Sequence, residues 1–130
     1  MDLILSKNYR AEAGITQYRI VRFGAADGGV LQAAASTDKL IGIAKGMGIA
    51  SREAPFAAGD FIDVTRAGIE EVEYGGNVAA GDLLTADAQG RAITAAPGAG
   101  VNAWIVGQAE VAGVLGDIGK CLVAPGRIQG

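Results

Sequence analysis

A mainly β fold, a single compact barrel or sandwich of about eight short strands made of two similar halves, is what this 130-residue sequence predicts. Three observations carry the prediction. The chain has 21 glycines and 3 prolines, and one or the other interrupts almost every window of a dozen residues, which leaves little room for an amphipathic helix. Short apolar or alternating runs bounded by turn residues recur along its whole length. The order of strands and glycine turns in the first half also returns in the second.

The strands follow in order. YRIVRFG (18–24) brings Ile20, Val21 and Phe23 together and stops at a glycine; KLIGIA (39–44) is a nearly continuous apolar run after a polar loop. DFIDVTRAG (60–68) alternates and ends at Gly68, and IEEVEYG (69–75) is read as a separate strand, its Glu70, Glu71 and Glu73 forming a wet face or edge. DLLTAD (82–87) and RAITAA (91–96) flank a tight AQG turn, as the earlier runs flank DGG at 27–29, where glycine supplies positive φ without steric cost. AWIVGQAEV (103–111) and KCLVAPG (120–126) complete the set. The one plausible helical turn is ASREAPF (50–56), which its proline ends early.

The repeat aligns Gly28 with Gly90, Leu31-Gln32-Ala33-Ala34 with Ile93-Thr94-Ala95-Ala96, and Gly42 and Ala44 with Gly107 and Ala109. Each half then reaches a Gly-Asp pair before its last strand: Gly59-Asp60 in one, Gly116-Asp117 in the other, with a further pair at Gly81-Asp82. Two similar β units packed into one barrel explain this, because one unit alone could not bury both of its apolar faces.

Half of the residues are hydrophobic but only 5% are aromatic, so Ala, Val, Ile and Leu must fill the core. Residues 1–22 carry Lys7, Arg10, Arg19 and Arg22 against Asp2 and Glu12, whereas residues 53–90 carry eight carboxylates against Arg66 alone. Residues 1–22 are therefore slightly basic; an N-terminal arm (1–17) precedes a single β domain (18–130) whose acidic body repels nucleic-acid phosphates. No run approaches the roughly 20 apolar residues of a membrane-spanning helix, and MDLILSKNYR lacks the pattern of a secretory signal. A soluble protein made in the cytoplasm is expected, with no nucleic-acid or membrane partner.

Chemistry is sparse. There is no histidine and one cysteine, Cys121, which excludes an internal disulfide and a zinc cluster and is expected to be a small buried hydrophobe. GVLGDIGKC (113–121) approaches a phosphate-binding loop, but Gly113 lies one residue too far from Gly119-Lys120, Cys121 stands where a hydroxyl is needed, and Pro125 and Gly126 leave no following helix. The hairpin-like STDKLIG (36–42) resembles the acylated hairpin of lipoyl carrier domains, but Lys39 precedes the Gly-Asp turns instead of following them, so a solvated loop lysine is expected. The aspartates lack the alternating spacing of a carboxylate metal loop. Gly59, Asp60, Gly81, Asp82, Gly116 and Asp117 are accordingly read as turn-formers: glycine for the positive φ, aspartate for a bond to its own backbone. No cofactor, metal or catalytic residue is expected, and the chain reads as a non-enzyme.

In their order, NYRAEAGITQYRIVRFG (8–24), DKLIGIAKG (38–46), FAAGDFIDVTRAGIEEVEYGGNVAAGDLLTADAQGRA (56–92), AWIVGQAEVAG (103–113) and GKCLVAPG (119–126) resemble the small head decoration, or capsid cement, proteins of tailed bacteriophages. Members of that family are sometimes labelled phage recombinases of the RecA/RadA type, a label that the failed phosphate loop opposes. The resemblance implies a structural virion protein, made in the bacterial host cytoplasm, that sits on the capsid outer surface and cements neighbouring major capsid subunits. Its implied partners are the major capsid protein and itself, as a homodimer or homotrimer; the alternative is a DNA-recombination accessory protein. Lys7, Tyr9, Arg10, Tyr18 and Trp104 are the candidate capsid or subunit contacts, four on or beside the N-terminal arm and one a tryptophan of the kind enriched at interfaces.

Overall fold

The structure is a computed structural model that describes residues 4–45 and 56–130. Every regular element among the described residues is a strand: β1 (Leu5–Ala11), β2 (Ile20–Phe23), β3 (Gly29–Gln32), β4 (Leu40–Ala44), β5 (Phe61–Glu73), β6 (Leu83–Ala86), β7 (Ala92–Thr94), β8 (Asn102–Ala109) and β9 (Ile118–Gln129). They are ordered β1-β3-β2-β4-β5-β9-β8-β6-β7 in one sheet that also pairs β1 with β5. That extra pairing runs antiparallel from Leu5 opposite Ala67 to Arg10 opposite Phe61, while β1 meets β3 in parallel, so the first five strands form a closed barrel. Closure leaves this barrel without a free edge.

The expected mainly β barrel is thus present, with nine strands. The sequence reading divided residues 60–75 into two strands, but the structure has one, the 13-residue β5. Gly68, at φ 103°, turns the chain without ending the ladder. Before it, β5 pairs with β1 and β4; from it onward, β5 pairs with β9. Residues 5–11 form β1 within the barrel, and the short β3 completes the first hairpin. Pro125 lies inside β9, next to a register shift in its pairing with β8 and beyond Val123, where pairing with β5 stops. A missing N–H is tolerated there. The expected helical turn at 50–56 lies outside the described residues except for Phe56, which bridges to Ile15.

The internal repeat holds residue by residue in the pairing. Tyr9 opposite Ile62 in the first unit (residues 5–67) corresponds to Val72 opposite Gly119 in the second (68–129). Ile20 opposite Ile43 corresponds to Leu83 opposite Gln108, and Ile43 opposite Thr65 to Gln108 opposite Leu122. Even the isolated bridges match: Ile15 with Phe56, and Val78 with Gly113.

Two buried clusters result. Tyr9, Val21, Val30, Ile62 and Val64 fill the closed barrel. The other cluster holds Val72, Tyr74, Leu84, Val106 and Cys121 from the second unit together with Ile20, Leu40 and Ile43 from the outer face of the first. All five residues of β4 are buried because its two faces serve the two clusters. The second unit is joined between β5 and β7 only by a single parallel bridge, Tyr74 with Ala92. Residues of the first unit enter that gap: the Glu73 N–H donates to Tyr18 O at 3.0 Å, and the Ile20 N–H to Gly90 O at 2.8 Å.

Candidate functional site

The three Gly-Asp pairs occupy one geometry. Gly59, Gly81 and Gly116 have φ of 92°, 92° and 90°. In each turn the Asp N–H donates to the carbonyl three residues earlier, and the Asp carboxylate accepts from that residue's N–H: Ala57 to Asp60 at 2.8 Å, Ala79 to Asp82 at 2.9 Å, Val114 to Asp117 at 2.9 Å. The glycine N–H then anchors the turn to a strand or its end, at Ala11 O, Ala109 O and Tyr74 O. Thr94 Oγ1 also donates to Asp82, and the Ala79 bond followed by the Thr94 bond holds this carboxyl below its ordinary value. The residues 113–121 that approach a phosphate loop are the third of these turns running into β9.

The repeat exposes a fourth turn that the sequence reading missed. Tyr18 and Arg19 stand where the second unit has Gly81 and Asp82, and Tyr18 adopts φ 67°. Its N–H reaches Ala44 O as that of Gly81 reaches Ala109 O. With no aspartate at this turn, Gln32 Oε1 takes the Thr16 N–H at 2.9 Å. The Gly-Asp signature is absent here, so only alignment of the two halves could have found it.

Freed from the turn, Arg19 bridges the units. Its Nη2 lies 3.3 Å from Glu73 Oε1 and its Nη1 donates to Gln89 O at 2.7 Å; Gln32 Nε2 donates to the same carbonyl at 2.8 Å. Glu73 is 5% exposed, which corrects the expectation that all three glutamates of this stretch are wet. Glu71 is exposed, and Glu70 accepts from Thr65 Oγ1 at 3.0 Å. The stretch is also interior to the sheet, paired with β9, and not an edge.

The candidate contact residues do not form one patch. Tyr9 is 3% exposed inside the closed barrel, where its hydroxyl bonds Arg66 Nη1; Lys7 Nζ lies 5.2 Å from the centre of its ring. Arg66 also stands over Phe23, at 5.5 Å, so a cationic and aromatic cluster not anticipated from the sequence closes this end. Arg10, next along β1 from Tyr9, points to the other face and is exposed. It lines a cleft of about 470 Å³ with Glu12, Asp27, Gly29 and Gly59. Glu12 is held by its own loop: its oxygens accept the N–H groups of Ala25 and Ala26, which lower its carboxyl from the ordinary value. Trp104 belongs to the second unit, half-buried against the second cluster with Arg127 5.8 Å over its ring. Lys39 is an exposed residue at the mouth of β4, and Cys121 is buried, its thiol pushed up to about 12 by desolvation.

No family model matches the chain, and no curated protein matches its sequence. Among solved structures, it is similar to the head fiber gp8.5 N base of bacteriophage phi29, with a TM-score of 0.64 and 19% identity, over 94% of this chain and 95% of that one. The two share a fold over nearly their whole lengths.

Proposed function

We propose that this chain is a structural virion protein that binds the outer surface of a phage capsid, stabilises the lattice of the major capsid protein and associates with itself. The observation that carries the proposal is the likeness of nearly the whole chain to a phage head fiber base. The resemblance of the ordered Gly-Asp segments to head decoration proteins supports it, and so does the use to which the aspartates are put. One oxygen of each carboxylate, Oδ2, is committed to a turn N–H at 2.8–2.9 Å, which gives the aspartates a framework role. The function then lies in surfaces. A ligand that binds the assembled shell and not its separated subunits stabilises the shell by mass action, and many copies sum modest individual affinities. Lys7, Arg10, Tyr18 and Trp104 are the proposed contacts with the major capsid protein or a neighbouring copy, Tyr9 acting from beneath by holding Arg66 and Lys7 in place.

The test is co-sedimentation of the purified protein with phage heads lacking it, followed by calorimetry of the heads. Saturable binding and a raised temperature of head disruption are expected. Failure to sediment with heads overturns the proposal.

A further inference from the structure

The two units pair their strands alike, yet equivalent outer faces meet different fates. In the first unit Ile20, Ile43 and Thr65 lie side by side across β2, β4 and β5, each 0% exposed, because the second unit covers them. Their counterparts Leu83, Gln108 and Leu122 lie side by side across β6, β8 and β9 and are open to solvent, the leucines at 38% and 40%. The second unit therefore presents uncovered the face by which the first unit is bound.

The charges at the joint say what fits there. Within the chain, Arg19 of the first unit meets Glu73 and the Gln89 carbonyl of the second. The repeat counterpart of Arg19 is Asp82, and that of Glu73 is Arg10: the pair is present at the two outer ends of the molecule with its signs exchanged. Arg10 has no carboxylate partner among the described residues, and it lines an open cleft with Asp27, the counterpart of Gln89. Beside it Phe61, its cross-strand neighbour, is 71% exposed. The main-chain part of the joint is not repeated, since the Arg10 N–H already bonds Gly28 O at 2.9 Å. Overall charge favours the same pairing. The described part of the first unit holds seven Lys and Arg against five carboxylates, and the second holds three against seven.

We infer that the Leu83–Gln108–Leu122 face of one copy docks on the Arg10 and Phe61 corner of another, with Asp82 against Arg10, in a head-to-tail contact. Such a contact closes into a ring or propagates as a filament, depending on the rotation between copies. The inference rests on the self-association part of the proposed function and not on the capsid, so it is tested without heads.

Sedimentation velocity over a range of concentrations, at low and moderate salt, reads the association of the full chain. Wild type is expected to associate, and Arg10→Asp, an exposed change, to weaken association at least about tenfold with an unchanged circular dichroism spectrum. Asp82→Arg does the same; because it also removes turn hydrogen bonds, Leu122→Arg is the second variant on that face. Each single variant sets like charges against each other, but an equimolar mixture of Arg10→Asp and Asp82→Arg chains restores complementary contacts and is expected to associate beyond either alone. A wild type that stays monomeric, folded variants that associate normally, or a mixture no better than its components overturns the inference. Loss of head binding with association intact would strike the proposed function instead.

Discussion

The first unit of this molecule closes on itself, and the second does not. Strand for strand they pair alike, but β1 closes on β3 through two parallel residue pairs with the Arg10 N–H on Gly28 O, whereas at the equivalent junction β5 meets β7 at a single bridge, the Glu73 N–H turns to Tyr18 O, and the first unit supplies Ile20, Leu40 and Ile43 to complete the core. The same backbone plan can thus serve as a self-contained barrel or as a cup that needs filling, according to what lies on its open side. Tyr74 shows the local consequence. Its counterpart in the first unit is Ala11; in the second unit a whole tyrosine is buried, its hydroxyl donating to Val111 O at 2.7 Å and its ring lying where a Cβ on Gly119, the counterpart of Ile62, would be, 2.1 Å from Cζ.

The largest expected effect tests what the units share. Gly107 and Gly42 are counterparts, and an added Cβ would sit 1.9 Å from Leu122 O at one and 2.2 Å from Thr65 O at the other. Both neighbours are backbone, which cannot swing aside. Gly107→Ala and Gly42→Ala are each expected to cost about 3 kcal/mol in urea unfolding. If one site accepts alanine freely, the equivalence of the two units at this close approach fails.

The next tests what differs. Removing Glu73 takes the carboxylate from the largely buried Arg19 guanidinium, which keeps its bond to Gln89 O, and Glu73→Ala is expected to cost about 3 kcal/mol. Arg10, its exposed counterpart, should give less than about 0.5 kcal/mol on Arg10→Ala when folding of the monomer is measured. Equal effects would mean that the joint contributes no more than an ordinary surface pair.

The smallest effect concerns the turns. The Asp82 carboxyl is held below its ordinary value of 3.8 by the Ala79 N–H and then the Thr94 hydroxyl. A group lowered on folding contributes stability that is present above its unfolded pKa and lost as pH falls through the folded one. Asp82→Asn should therefore lower stability at neutral pH and flatten the loss of stability on acidification below about pH 4. The Tyr18-Arg19 turn is capped by Gln32 Oε1 and not by a carboxylate, so Gln32→Ala should leave the acid limb unchanged. An acid titration followed by circular dichroism checks both, and an Asp82→Asn profile parallel to wild type removes this account of the turn.

Much of the fold was legible in the sequence because its cues are local. Gly-Asp spacing marked three turns, glycine hairpins marked two strand pairs, and alternation marked most strands. The candidate contacts were less legible: composition placed Tyr9 on an N-terminal arm, but whether a β1 side chain faces in or out depends on register with β5, and Tyr9 faces in while Arg10 faces out. Exposed Leu83 and Leu122 look in sequence like any inward strand residue, since the pattern records alternation and not which face is covered.

By itself, the sequence determined a β chain of two like units, with glycines where positive φ is required and aspartates to close the turns, because these depend on a few neighbouring residues. Only the tertiary structure decided that one long β5 serves both units, that Glu73 is buried against Arg19, and that the second unit leaves its outer face open. Those outcomes follow from how two similar sheets pack against each other, an interaction between residues far apart in the chain that no local pattern encodes.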